Sequence, residues 1–590
     1  MQLRSIGRLA RLLLIATPPL LIGLLILRDG VDVPFWDQWD GTAPLFEKMA
    51  AGTLGFADFF AQHNEHRILF PRLIFFGLGR LTHWNVRAEL FVIWFLALVC
   101  LFNIWQMTRR SAWKDSFRSF WLLFSSSVLL FSPLNRENFL WGFQIGFLLP
   151  LACVTACIWV ATYVRHPFNF VFAIMLCTVC TFSIASGVTS WLLATPLLML
   201  AQTRSTSSKK WWAIWMCTFL FDVCAYFYGY EKPAYHPSVW RPLSHPISAG
   251  LYVLIFLGNP FTFGTNLPPL SLGLGMGGLL VLLLLICAVY LWSKRDDCSL
   301  VGEALPWLVL AMVAVSAAVL TMIGRLGFGP AQARASRYLP FAVMLPIALL
   351  ALTPMVRSHW TRSFSTPGQL MTKAASFLLL IPFILTACPS FLADLPVWPV
   401  IRQARLYGRA LVSFINVVPE SEGLARYVFP YDGRVKTAAN ALNRIGYLRP
   451  PLFQSNLIRN VADPASSGSA RFGELQSPSG TGVFNEKESG SIELGGRAFL
   501  PDKRRPADAV LITYDNAEGE PVICAIASIE SPRQGRLRFA WDSSALPVTW
   551  KRLLPLNRLP EGQQCLLKAW SYDAEAGRAY RLQGSAIVTR

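Results

Sequence analysis

LGMGGLLVLLLLICAVYLWSKR, residues 274–295, runs twenty residues without a charge and ends on a lysine–arginine pair. At 1.5 Å per residue, a helix of that length reaches about 30 Å, the thickness of the hydrocarbon core of a bilayer. Basic residues directly after such a run mark its cytoplasmic end. AELFVIWFLALVCLFNIW (88–105) and AASFLLLIPFILTA (374–387) are of the same kind. The whole chain agrees: mean hydropathy is +0.43 and only 15% of residues are charged, against about 25% in soluble domains. From about residue 391 charge, Gly, Ser and Pro rise and no spanning segment follows. The expected fold is a polytopic α-helical membrane protein with a C-terminal soluble α+β region.

The net charge of +19 is distributed as topology signals. LRSIGRLAR, QMTRR with Lys114, TRSTSSKK, SKR and RSHWTR all flank apolar runs, as cytoplasmic loops do. Nucleic-acid binding, which needs a basic face on a soluble fold, is excluded. Arg4, Arg8 and Arg11 precede the first span, so the N-terminus is expected in the cytoplasm, on an uncleaved anchor without a small-x-small cleavage site. Apolar length predicts about eleven spans, near 12–27, 88–107, 119–132, 139–164, 168–184, 188–202, 211–229, 271–293, 304–323, 338–354 and 372–390. SAGLYVLIFLGNPFTF (248–263) is left out: counting it would put SKRDD on the outer side, so it reads as re-entrant or interfacial. Loop 28–87, the loops SPLNREN, EKPAYHPSVWRPLSHP and GRLGFGPAQARASRY, and the C-terminal domain then share the outer face.

Loop 28–87 holds VDVPFWDQWDG and QHNEHRILFPRL (62–73). It reads as two short juxtamembrane helices carrying Asp32, Asp37, Asp40, His63, Glu65, His66, Arg67 and Arg72. Singly, such groups are commonly solvated or cap helices, and Asp40 has the position of an N-cap. Together they suit a site that deprotonates a hydroxyl and holds an anion. The later loop adds Arg325, Arg334 and Arg337, with Tyr338 at the next span. Guanidinium matches phosphate because its planar fork binds bidentately and stays charged. Snorkelling anchors are the alternative for each, but three arginines on an outer loop run against the positive-inside trend.

An acidic motif just after the first span, two juxtamembrane helices, a helical bundle and an outer soluble domain resemble the GT-C class of integral membrane glycosyltransferases. More closely, residues 1 to 390 are similar to bacterial polytopic membrane proteins with FWDQWD, QHNEHR, ENFLWGFQ and SRY segments. The resemblance implies an enzyme using a polyprenyl-phosphate sugar donor on the outer membrane face. It puts the base at Asp37. The usual acidic pair is broken by Gln38, which leaves Asp40 a rival, and HNEHRILFPRL stands where relatives carry a shorter Pro-Pro-Leu-like element. Glu65 would support the base. His63, His66, Arg67, Arg136, Arg325, Arg334, Arg337 and Tyr338 would bind substrate.

In SPLNRENFLWGFQ, Arg136, Glu137, Asn138 and Gln144 gather at a helix entrance, and Trp141 suits either a sugar face or the interfacial aromatic belt. Asp222, an acid inside a span, is a functional candidate or a partner in an interhelical hydrogen bond. His63, Glu65 and His66 are competent ligands for a divalent cation, but H-N-E-H is not the HExxH spacing and no metal is required. Most of the twelve cysteines lie in apolar spans as small hydrophobes. Cys524 and Cys565 lie in the tail, where an oxidising compartment would allow them to pair.

The division expected is a transmembrane domain 1–390, a helical connector 391–465 and a β-sandwich 466–590. RQARLYGRALVSFINVV and GRVKTAANALNRIGYL read as helices; SIELGGRAFL, DAVLITYDN, VICAIASI, LRFAWDS, QCLLKAWSYD and AYRLQGSAIV read as strands,. The sandwich is either a glycan-contacting module or a passive cap. The function expected is an inverting glycosyltransferase acting on an envelope glycan, lipid or protein acceptor at the outer face of a bacterial inner membrane. A non-enzymatic transporter or flippase for a lipid-linked glycan is the alternative, which paired internal repeats would favour; none is found. Membrane lipid, the polyprenyl-phosphate donor and the acceptor are the partners expected.

Overall fold

A computed structural model describes residues 2–110, 116–202, 209–263, 267–363, 381–464, 470–476, 490–530 and 548–590. The chain divides into two compact units: Met1–Arg28, Gly55–Ile74 and Glu89–Leu395 form one, and Asp29–Leu54, Phe75–Ala88 and Pro396–Arg590 the other.

The first unit is helical. Among the described residues eight helices are long and apolar enough to cross a membrane: Leu9–Asp29, Val86–Arg110, Phe117–Phe139, Gly142–Tyr163, Pro269–Ser293, Cys298–Phe328, Ser336–Trp360 and Ile381–Ser413. They are consistent with a multi-pass membrane protein. Apolar length alone gives about eleven, and the difference has local causes. The runs at 168–184 and 188–202 fold as Phe168–Thr181 and Thr189–Gln202, 14 residues each, or about 21 Å. Between them a 3-10 turn at Ala185–Val188 tucks Gly187 so tightly under the first helix that a Cβ there would lie 1.8 Å from the Cys180 carbonyl oxygen. The run at 211–229 is Lys209–Phe227, with two lysines in its first turn and Asp222 inside. The expected span at 372–390 begins outside the described residues.

Residues 246–258 form a helix of 13 residues, too short at about 20 Å to cross a bilayer alone. It lies against the opening stretch, and the glycines there explain the closeness. A Cβ on Gly277 would meet the Leu254 carbonyl oxygen at 1.8 Å, and one on Gly258 the Gly273 carbonyl oxygen at 2.0 Å. Gly273 and Gly277 are thus a small-xxx-small face on which a neighbouring backbone rests.

Among the described residues the second unit has two large cores. Its strands are β3 (Gly473–Gln476), β4 (Ser491–Leu500), β5 (Arg505–Pro506), β6 (Ala509–Asp515), β7 (Pro521–Ala527), β8 (Thr549–Pro555), β9 (Gln564–Asp573), β10 (Arg578–Arg581) and β11 (Ala586–Thr589); β1 (Gln62–His63) and β2 (His66–Arg67) belong to the first unit. One antiparallel sheet runs β10-β9-β6-β7 with β11 beside β9, the other β3-β4-β5 with β8 beside β4. Alternate residues of β6 face opposite ways: Val510 and Ile512 enter the core shared by the two sheets, while Ala509 and Leu511 enter a core built with helices. Burial on both faces is why AVLITYD and VICAIA read as continuous apolar runs instead of alternating ones. The expected strand LRFAWDS and most of the linker before the sheets lie outside the described residues. Cys524 and Cys565 are buried free thiols.

The helical core of this unit changes the expected division. Helices Val397–Ser413, Ser421–Tyr427 and Asp432–Arg444 share it with Trp39, Phe46 and Trp84 from loop 28–87. Phe46 packs on Trp84 at 5.0 Å and on Tyr447 at 5.2 Å between ring centroids, and Glu47 receives both Nη groups of Arg434 at 3.0 and 2.6 Å. Apolar side chains of a loop that reads as juxtamembrane instead complete the core of the C-terminal helices and strands.

Candidate functional site

HNEH was expected on a juxtamembrane helix, but that helix begins only at Leu69. Before it, β1 (Gln62–His63) and β2 (His66–Arg67) form a hairpin with His63 opposite His66. Asn64 makes the turn at φ +51°, a left-handed value that asparagine tolerates better than most residues. Glu65 sits at the tip. The hairpin is stapled to the end of helix Lys209–Phe227: Arg67 donates from Nε to the Tyr226 carbonyl (2.6 Å), from Nη1 to Phe60 (3.0 Å) and from Nη2 to Tyr228. The Tyr226 hydroxyl in turn donates to the Glu65 carbonyl at 2.6 Å. Arg67 therefore holds backbone with all three nitrogens, and Arg72 donates to the carbonyls of Phe59 and Ala61.

Around the Glu65 carboxylate the structure gathers Arg325, whose Nη2 meets Oε1, His66 Nε2 at 3.5 Å and His236 Nε2 at 3.4 Å. Burial works against ionisation of Glu65, yet His66, Arg325 and His236 overcome it and hold its carboxyl down at about 2. The histidines are themselves displaced. Burial, then Arg72 and His66, push His63 down to about 3 against the pull of Glu65; burial likewise lowers His66 and His236. Hydrogen bonding fixes the His66 tautomer. The Ala185 N–H donates to Nδ1 at 3.1 Å, so Nδ1 is bare and Nε2 carries the proton that faces Glu65. Near neutral pH the charge opposing Glu65 is then Arg325. Among the described residues no group of three His, Cys, Asp or Glu is arranged to hold a metal ion; a guanidinium stands beside the one carboxylate that two histidines approach.

A second cluster joins SPLNREN to ASRY. Arg337 Nη1 meets Glu137 at 2.7 Å, and the Arg337 N–H donates to the same carboxylate at 3.1 Å. Asn138 donates to the Ser336 carbonyl at 3.0 Å, and the Ser336 hydroxyl to the Leu134 carbonyl. Arg136 pairs with Asp394, 258 residues away. Tyr338 is buried and stacks on Phe256 at 5.4 Å. Arg334 differs. It lies 5.2 Å from the Phe263 ring, its Nε is shut off from solvent without an acceptor, and among the described residues no carboxylate pairs with it. Burial, and then the like charge of Arg136, push its guanidinium below the ordinary arginine value. Three guanidiniums face two carboxylates, leaving one positive charge uncompensated.

Asp37 and Asp40 belong to the other unit. Asp37 precedes a π-helical turn, Gln38–Thr42, a backbone form that recurs at functional sites. Gln38 is fully buried and its Oε1 accepts the Phe35 N–H at 3.0 Å, so it shapes the turn. Asp40 is exposed. Asp32 accepts the Val86 N–H at 2.8 Å and so caps that helix. Asp222 is buried with one carboxylate oxygen unpartnered and bonds to Thr178 of the adjacent helix. Gln144 is fully buried and, among the described residues, neither of its polar atoms has a partner.

Sequence reasoning missed His236, Asp394 and Phe263. His236, one of seven histidines, carried a usable signal as an ionisable residue in the loop EKPAYHPSVWRPLSHP, which is expected from sequence on the outer side. Asp394 sits in FLADLP with no local pattern to mark it. No family model matches the chain, and no curated protein or solved structure matches it.

Proposed function

We propose that the protein is an integral membrane glycosyltransferase that moves a sugar from a polyprenyl-phosphate donor to an envelope glycan, lipid or protein acceptor. The reaction belongs on the outer face of a bacterial inner membrane, with the N-terminus cytoplasmic and the C-terminal domain outside. The observation that carries the reading is Arg334: a half-buried guanidinium beside Arg136 with, among the described residues, no carboxylate of its own. A cation held that way lowers its free energy by taking an anion, and a phosphate suits its fork. Arg325 and Arg337 already face Glu65 and Glu137, which narrows the donor-phosphate role from three arginines to one. The acceptor hydroxyl loses its proton to Asp37, with Asp40 the rival base. Its oxygen attacks the anomeric carbon from the face opposite the phosphate, which leaves with the bonding pair. Glu65, held near 2 by its neighbours, is too weak a base for that step and serves to position Arg325.

A lipid-linked sugar transfer assay on the purified protein tests this. Asp37→Asn is expected to lower turnover by about 10²- to 10⁴-fold with folding intact. Wild-type turnover in Asp37→Asn with loss in Asp40→Asn moves the base to Asp40. Movement of the donor across vesicles without transfer replaces the reading with the flippase.

A further inference from the structure

Asp394 is a buried carboxylate in the turn 394–396, where the helix from 381 ends, and it pairs with Arg136 from 258 residues earlier. Arg136 opens the short helix Arg136–Phe139, and Arg334 closes the 3-10 turn Pro330–Arg334. The two segments are tied together: Asn138 donates to the Ser336 carbonyl at 3.0 Å, and the Arg337 N–H donates to Glu137 at 3.1 Å. Arg136 and Arg334 are therefore held side by side, close enough for the charge of one to oppose that of the other. The balance of charge decides what the cluster fits. Arg337 and Glu137 cancel. Among the described residues, Arg136 and Arg334 then stand against Asp394 alone, and a single positive charge is left.

A sugar–phosphate–prenyl diester carries one negative charge, whereas the prenyl monoester left after transfer carries close to two at pH 7. The second charge arises because the anomeric C–O bond breaks with its electron pair on the phosphate oxygen, while the acceptor proton goes to the base. We infer that Asp394 sets the phosphate specificity of this cluster. By holding Arg136 it leaves one cation for the singly charged diester and none for the second charge of the monoester. Donor is taken and product is let go. Without Asp394, the partly exposed Arg136 would supply a second planar fork, and two guanidiniums would clamp a dianion. The choice of a phosphate ester rests on the glycosyltransferase reading; the balance of charge does not.

Calorimetry on the detergent-solubilised full-length protein, with farnesyl phosphate as the monoester and its methyl ester as the diester, tests the inference. Wild type is expected to bind the monoester no more tightly than the diester. Asp394→Asn should tighten the monoester at least about tenfold, the scale of a hydrogen bond to a charged group, and the diester less than about threefold. The double variant Arg136→Gln/Asp394→Asn should lose that gain, because the released cation is gone. Asp394→Glu, which keeps the charge, should keep the wild-type ratio. Wild-type protein that binds the monoester about tenfold tighter than the diester overturns the proposal, and that measurement needs no variant to fold. So does a gain in Asp394→Asn that is equal for both esters, or that survives the loss of Arg136. So does the absence of binding by either ester. Neither ester donates a sugar, so the expected pattern in a protein without transferase activity sinks the transfer reading alone. Transfer without the pattern sinks only the role of Asp394.

Discussion

Arg325 and Arg334 stand nine residues apart in one loop and look alike in sequence, yet they end in opposite electrostatic situations. Arg325 meets Glu65 from a hairpin 260 residues earlier, and its charge is answered. Arg334 meets the face of Phe263 and the like charge of Arg136, and its charge is not. A compensated guanidinium is a staple whose removal exposes a stranded carboxylate; an uncompensated one is a receptor whose removal relieves repulsion. What separates them is whether a distant carboxylate folds back to the arginine, and no local pattern records that.

Within this comparison the largest effect expected is at the open arginine. Arg334→Gln should weaken donor binding by about 10- to 100-fold, the scale of one hydrogen bond to a charged group, while the thermal midpoint holds or rises. Unchanged donor affinity would break the contrast. Next, Arg325→Gln should destabilise the protein by about 2 kcal/mol, below the 3–5 kcal/mol of a fully buried pair because both partners keep some exposure. Thermal unfolding should show Arg325→Gln/Glu65→Gln recovering part of that loss; if the double variant is worse than the single, the pair is not the staple.

A third, smaller effect concerns acid. Unfolded His63 takes a proton near 6.5, whereas the folded residue resists until about 3. Its contribution is therefore complete above pH 6.5 and is lost as pH falls from there towards 3. Between pH 7.5 and 5.5 the loss is about 1 kcal/mol, and His66 and His236, displaced the same way, add to it. Midpoints measured at the two pH values should differ less in His63→Gln than in wild type; equal slopes would remove His63 as the cause. The smallest effect is Arg337→Lys, where Glu137 keeps a cation and donor affinity should change less than about twofold. A drop matching Arg334→Gln would place Arg337 on the donor as well.

The long apolar runs were legible because a membrane span is written in consecutive residues. The count was less so: about eleven runs have the composition, but at SIASG the chain turns where Gly187 permits it, and composition does not record close packing. HNEH showed its chemistry but not its shape, since one asparagine at positive φ makes a hairpin where the surrounding apolar pattern suggested a helix. Arg67 illustrates the limit on roles. Its charge drew attention, while its three backbone carbonyl partners are invisible in the sequence. The strands β6 and β7 were readable by their β-branched and apolar content, though not the second face that Trp39, Phe46 and Trp84 help to cover.

That second face imposes an order of events on biosynthesis. Ala88 and Pro396, which flank the last two parts of the same unit, are separated by about 310 residues. At roughly 5–20 residues per second, the ribosome needs on the order of 15–60 s to pass from one to the other. Throughout that interval Trp39, Phe46 and Trp84 have been made, but Phe414, Tyr447 and Tyr572, their neighbours in the core, have not. The early loop must wait, exposed and apolar, for the last third of the chain to close over it, which makes it the segment of this protein with the greatest need of a chaperone.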